Sequence, residues 1–180
     1  MLVERRGKLE IADVAAKAGL SVGLSYHYFG SRGGLIAAVV EAFYDRYDAE
    51  VMDVNPSPGS RWAEREHRRV QMAVDFHYRE PLAPIVLSRL GGEPEVAAVE
   101  ARRLARVVEI GTRNVALGQA EGEIPKSLDP NITVAMMMGG LHAALGQALA
   151  RDPRPDKARL AREIWGAIAA LARIPGNRNR

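Results

Sequence analysis

Residues 19–32, GLSVGLSYHYFGSR, gather serines, tyrosines, a histidine and a final arginine among glycines. Hydroxyl, imidazole and very small side chains on a short helix suit contact with base edges in a DNA groove, and a tyrosine hydroxyl or a guanidinium suits a phosphate. This is recognition chemistry. Catalytic chemistry has no comparable pattern: paired carboxylates, a phosphate-cradling glycine loop and a nucleophile beside a base are all missing at motif spacing, so no enzymatic activity is expected. The chain has no cysteine, which excludes disulfides, thiolate zinc sites and cysteine catalysis. His67 and His77 stand nearly three helical turns apart, a poor spacing for a two-histidine metal site, so neither metal nor cofactor is expected.

The elements that would position these groups follow from composition and periodicity. At 180 residues, 47% hydrophobic and 26% charged, the chain fits one globular unit or two small ones sharing a core. A net charge of +3 permits an anionic partner without requiring one. The start MLVERRGKLE lacks the apolar stretch of a secretion signal, and no window approaches the roughly 18 uninterrupted apolar residues of a membrane span. A soluble, cytoplasmic protein with no membrane association is expected.

Apolar residues recur at helical spacing almost throughout, and no alternating β-branched run argues for strands, so the fold class is all-α. Ser31 caps a helix expected to reach about Met52, carrying Leu35, Val39, Phe43 and Tyr47. The turn-rich stretch 55–60, NPSPGS, breaks the chain. Further helices are expected from near Ser60 to before Pro81, from Pro84 to Leu90, from Pro94 to Glu121, from Pro130 to Arg151 behind the cap Asp129, and after the cap Asp156. Gly111 and Gly118 leave room for a neighbouring helix. The end, PGNRNR, should fray.

Before the opening stretch, residues 11–18 form a short helix with Val14, Ala15 and Ala18 facing inward. Gly19 supplies the tight turn, Leu20 plugs the angle between helices, and Ser21 caps the helix starting at Val22. The segment IADVAAKAGLSVGLSYHYFGSRGGL resembles the DNA-binding signature of the tetracycline-repressor (TetR) family of bacterial regulators, over about Leu9 to Val40. The resemblance implies a helix-turn-helix head whose DNA-binding residues are Ser21, Val22, Gly23, Ser25, Tyr26, His27 and Arg32; of the aromatics that end the helix, Tyr28 and Phe29, core packing is the alternative to contact and the preferred reading for Phe29. Three departures stand out. The family places a full amphipathic helix ahead of the hairpin, of which only the last turn or two is expected here; Ser25 stands where an apolar residue is usual, with Leu24 as its substitute; and Gly33 and Gly34 replace helix-favouring residues.

The expected organisation is a head over residues 1–48, an effector-binding and dimerisation body over 49–174 and a flexible tail over 175–180. For the body, the resemblance implies a small-molecule effector and a homodimer through the last two helices. There, Gly139, Gly140, Ala143, Ala144 and Gly146 form a flat surface, and Leu160, Ile164, Trp165 and Ile168 a bulky one. Candidate ligand-binding residues are Trp62, His67, Met72, Phe76, His77, Arg89, Met137, Met138 and His142. The function so implied is a transcriptional regulator, most simply a repressor, that binds palindromic double-stranded operator DNA as a dimer and is released by its effector. The alternative is a helical ligand-sensing dimer whose DNA binding is impaired by the shortened first helix.

Overall fold

The computed structural model describes residues 10–88 and 93–174, and among these there are helices and no strand. The expectations about a shortened first helix, Arg89 and the 175–180 tail concern residues outside that set. In order come α1 (Ile11–Ala18), α2 (Val22–Phe29), α3 (Arg32–Tyr47) continuing into a π-helical turn (Asp48–Met52), α4 (Trp62–Arg79), α5 (Ala83–Leu87), α6 (Pro94–Ala120), α7 (Pro130–Leu149) and α8 (Lys157–Leu171).

Local chemistry accounts for most of the boundaries. Gly19 closes α1 in the left-handed region at φ 68°, and the Leu20 N–H donates back to the Ala15 carbonyl at 2.9 Å. Serine or aspartate oxygens accept from the first turns of four helices: Ser21 from Leu24 (3.1 Å), Ser31 from Gly34 (2.9 Å), Asp129 from Ile132 (3.1 Å) and Asp156 from Arg159 (2.8 Å). Helix α4 is different. It starts at Trp62 without a cap from its own side chains, and its N-terminal N–H groups are met by carboxylates from the α6–α7 connection. Trp62 N–H donates to Glu123 at 2.7 Å and Ala63 N–H to the same carboxylate at 3.3 Å.

The buried side chains form two adjoining clusters. One joins Ile11, Ile36, Val40, Phe43 and Tyr47 to Phe76 of α4 and Val96 of α6; the other joins Trp62, Val70, Val115, Leu145 and Ile164. The first cluster runs from α1 through α3 into the body, so the boundary expected at residue 48 falls within a single continuous helix and its shared core. Glycines permit the tightest crossings: a Cβ on Gly111 would lie 2.6 Å from Val134, and one on Gly118 would lie 2.9 Å from the Trp62 ring.

Three expectations need correction. Ala18 is exposed, and Leu20 is 47% exposed, so neither faces inward, and Ile11 and Ala15 are the buried residues of α1. The Pro130–Leu149 helix does have the length and composition to cross a membrane, with mean hydropathy 1.4. Its isoleucine, valine and leucines, with alanines and methionines, carry that value despite Asn131, Thr133 and His142, and it packs between α6 and α8 with Val134, Met137, Leu141 and Leu145 buried. Finally, the glycines opening α3 follow from space. A Cβ on Gly34 would sit 2.0 Å from the Phe29 carbonyl oxygen, and one on Gly33 would sit 2.4 Å from the Glu95 carboxylate.

Gly34→Ala should therefore lower unfolding stability by about 1 to 3 kcal/mol in urea titration, because the carbonyl it meets is backbone and cannot swing away. Gly23→Ala, whose Cβ meets open space, should instead raise it by up to about 1 kcal/mol.

Candidate nucleic-acid interface and effector cavity

Helix α2 turns two adjacent rows outward, Val22 with Tyr26 and Gly23 with His27, each spaced i, i+4. Tyr26 is 52% exposed, and Ser21 is exposed at the helix start. Ser25 does not share this face. It is 3% exposed, and its hydroxyl donates to the Ser21 carbonyl at 3.3 Å, which satisfies the buried polar group. Ser25 is thus a packing residue, and Leu24, 40% exposed, does not replace it. Phe29 packs on the core as expected, whereas Tyr28 is 72% exposed and touches His27 edge to face.

At the start of α3 the anion site is filled from within the chain. Ser31 donates to Glu95 at 2.6 Å while accepting from Gly34, and Arg32, expected to meet a phosphate, is ion-paired with Glu93. The Ser31 hydrogen bond holds the Glu95 carboxyl below its ordinary range. Glu93 and Glu95 open α6, so this contact ties the α1–α2 hairpin to the longest of the described helices.

A cavity of about 200 Å³ lies between α4, α6 and α7, with Tyr47 and Met52 closing it from the end of α3. Of the ligand-binding candidates, Trp62, Met137 and Met138 line it. Its polar groups were not anticipated: Glu66 and Arg69 on α4, and Asn114 on α6. Arg69 holds the helix end that borders the cavity. Its Nη1 donates to the carbonyls of Val51, Met52 (3.2 Å) and Val54 (3.1 Å), while Nε donates to both Glu66 oxygens at 3.2 Å. In sequence, Glu66 and Arg69 look like an ordinary i, i+3 surface pair; only their i, i+4 and i, i+7 offsets from Trp62 signal a shared face.

The other ligand candidates lie elsewhere. His67 stacks on Trp165 of α8 at 5.2 Å, and Met72 packs against the first core cluster. Phe76 is core, in edge contact with Phe43 and Tyr47. His77 is 2% exposed and donates from Nδ1 to the Ala73 carbonyl at 2.7 Å. Burial is the main cause that pushes its pKa down to about 4, with a contribution from neighbouring His142. Burial, then Arg103, likewise lowers His142, which does not line the cavity. His67, Met72, Phe76 and His77 are packing residues, because the apolar face of α4 is wider than the sector that meets the cavity.

Beyond the cavity, the last two helices present a face of small residues. Met136, Gly139, Gly140 and Ala143 of α7 are exposed beside Gly166, Ala167 and Ala170 of α8. The surface expected to be bulky is turned inward: Leu160, Ile164 and Ile168 are buried in the chain's own core, and Gly146 faces Leu87 near α5.

No family profile and no curated protein matches the chain. Solved structures do. A protein named as a TetR-family transcriptional regulator from Rhodococcus sp. aligns with 25% identity over 95% of this chain and 92% of its own, at a TM-score of 0.77. Another so named, from Syntrophomonas wolfei, aligns at 15% identity over 99% and 92%, with a TM-score of 0.79. AibR, solved with isovaleryl coenzyme A and operator DNA, aligns at 16% identity over 97% and 93%, with a TM-score of 0.68. The chain has the fold of TetR-family transcriptional regulators.

The buried His77 makes stability pH-dependent. Its folded pKa lies below the unfolded value of 6.5, so between these values the unfolded chain binds the extra proton and stability falls as pH is lowered from about 6.5 to about 4. The loss should approach roughly 3 kcal/mol in urea titrations across that window, and His77→Phe should flatten the slope by about one proton.

Proposed function

We propose that this chain, with the fold of TetR-family transcriptional regulators, is a ligand-responsive, DNA-binding regulator that acts as a homodimer in the cytoplasm, most simply as a repressor. The observation that carries the reading is the outward face of α2. A serine-capped helix, set by a glycine turn against α1, exposes Val22, Gly23, Tyr26 and His27 with no charged side chain in the way. Small groups there allow the helix to enter the major groove, the Tyr26 hydroxyl suits a phosphate, and the His27 imidazole suits a base edge.

The dimer follows from the exposed small-residue face of α7 and α8, whose Gly139, Gly140, Ala143, Gly166 and Ala167 permit close approach of a second copy. Two α2 helices then address two half-sites about one DNA turn, or a multiple of it, apart. Regulation follows from the cavity. A molecule filling it presses on Tyr47 and Met52, at the end of the helix whose other end is bonded to the hairpin, so occupancy favours one spacing of the two heads over another. Differential binding to those two arrangements is the condition for release. AibR, with its ligand and operator DNA, is an example of the same fold engaging both.

Fluorescence anisotropy on a labelled duplex tests this reading. Binding should weaken steeply with added salt and saturate at two chains per site. Tyr26→Ala and His27→Ala should each cost about 1 to 3 kcal/mol in affinity without changing the urea midpoint. Absence of saturable duplex binding at low salt, or indifference to both substitutions, would contradict the assignment.

A further inference from the structure

We propose that the cavity selects an uncharged, compact, apolar molecule bearing a carbonyl-type hydrogen-bond acceptor, and discriminates against carboxylates and coenzyme A thioesters; this rests on reading the cavity as the effector site. The argument starts from charge. Arg69 and Glu66 are the ionic side chains on the cavity wall, and they already neutralise one another through Nε and both carboxylate oxygens. The Nη1 of Arg69 is committed to the carbonyls of Val51, Met52 and Val54, acceptors that the end of a helix leaves without partners of its own. A ligand carboxylate would therefore enter beside Glu66 and a row of carbonyl oxygens, with no uncompensated cation to offset its loss of water. A ligand ammonium would meet the Arg69 guanidinium.

Hydrogen-bonding capacity is still available for a neutral group. Arg69 Nη2 has no protein partner among the described residues, and the Asn114 carboxamide makes no side-chain hydrogen bond among them. Each is a donor available to a ligand carbonyl oxygen. The rest of the wall is mostly hydrocarbon and ring, from Val70, Val134, Leu141, Tyr47 and Trp62, which suits an aliphatic or aromatic body, and the buried Trp62 Nε1–H, without a partner among the described residues, adds a further neutral donor. At about 200 Å³ the space lies below the roughly 300–1,000 Å³ of sites for drug-sized ligands. A nucleotide-bearing thioester such as the isovaleryl coenzyme A held by AibR adds phosphate charge as well as bulk.

Isothermal titration calorimetry of the full chain with 2-heptanone, hexanoate and hexylamine tests the selectivity. The ketone should bind at least about tenfold more tightly than either ion. Glu66→Gln keeps the side-chain shape and removes one negative charge, so hexanoate should gain about tenfold or more, narrowing or reversing the preference. The wild-type comparison stands whether or not the variant folds. Equal or tighter binding of hexanoate to the wild type, an unchanged ratio in a folded Glu66→Gln variant, or no binding of any probe at millimolar concentration would overturn the proposal. Duplex DNA binding measured on the same preparations separates this outcome from failure of the regulator reading, which is judged by DNA binding alone.

Discussion

The end of α3 is held on two sides by arginines from different helices, and the rest of the structure is arranged around that grip. From α4, Arg69 collects the carbonyls that the π-helical turn leaves open; from α6, Arg103 is ion-paired with Asp48 and lies 5.3 Å from the Tyr44 ring and 5.5 Å from the Tyr47 ring. Asp48 is almost fully buried, and burial pushes its carboxyl up against the opposing pull of Arg103 and Arg106. Removing Asp48 would leave the buried Arg103 guanidinium without its carboxylate, a loss that typically costs about 3 to 5 kcal/mol. The helix that follows the α1–α2 hairpin thus ends in a site whose electrostatics tolerate few alternatives. A π-helical turn, with Asp53 N–H donating to the Asp48 carbonyl at 2.8 Å, is the local form that meets both arginines.

The same helix is tied at its other end. Glu93 and Glu95 from the start of α6 engage Arg32 and Ser31, so α6 grips α3 near both termini while Gly33 supplies the space for that approach. The first core cluster fills the interval with Leu35, Ile36, Val40 and Phe43. Contiguous packing and ion pairs thus link α3 within the body to the hairpin, and the cavity touches the far end of that helix at Tyr47 and Met52. Coupling of this sort needs a ligand that distinguishes two arrangements, which a wall with one spare guanidinium nitrogen and one spare carboxamide can provide.

Much of this was legible in the sequence where local rules dominate. The caps Ser21, Ser31, Asp129 and Asp156, the turn at Gly19 and the close crossings at Gly111 and Gly118 all follow from residue type and periodicity. The outward rows of α2 were visible too, except at Ser25, where a polar residue is buried because its hydroxyl finds the Ser21 carbonyl one turn back. The cavity was less legible. Aromatic, histidine and methionine side chains of α4 suggested a pocket, but Phe76 and His77 serve the core, while the polar wall comes from Glu66 and Arg69, whose spacing looks like that of a surface ion pair. Long-range partners cannot be read from spacing: Glu121 and Glu123 at the start of α4, Glu93 and Glu95 at the start of α3, and Arg103 at Asp48 are each set by tertiary packing.

The central claim, that two copies of α2 read DNA together, is tested most directly by selecting bound sequences from a random duplex pool with the full chain. The account predicts enrichment of a palindrome whose half-sites are centred about 10 base pairs, or a multiple of it, apart. Recovery of a pool with no enriched sequence, or of a single unpaired half-site, would contradict it.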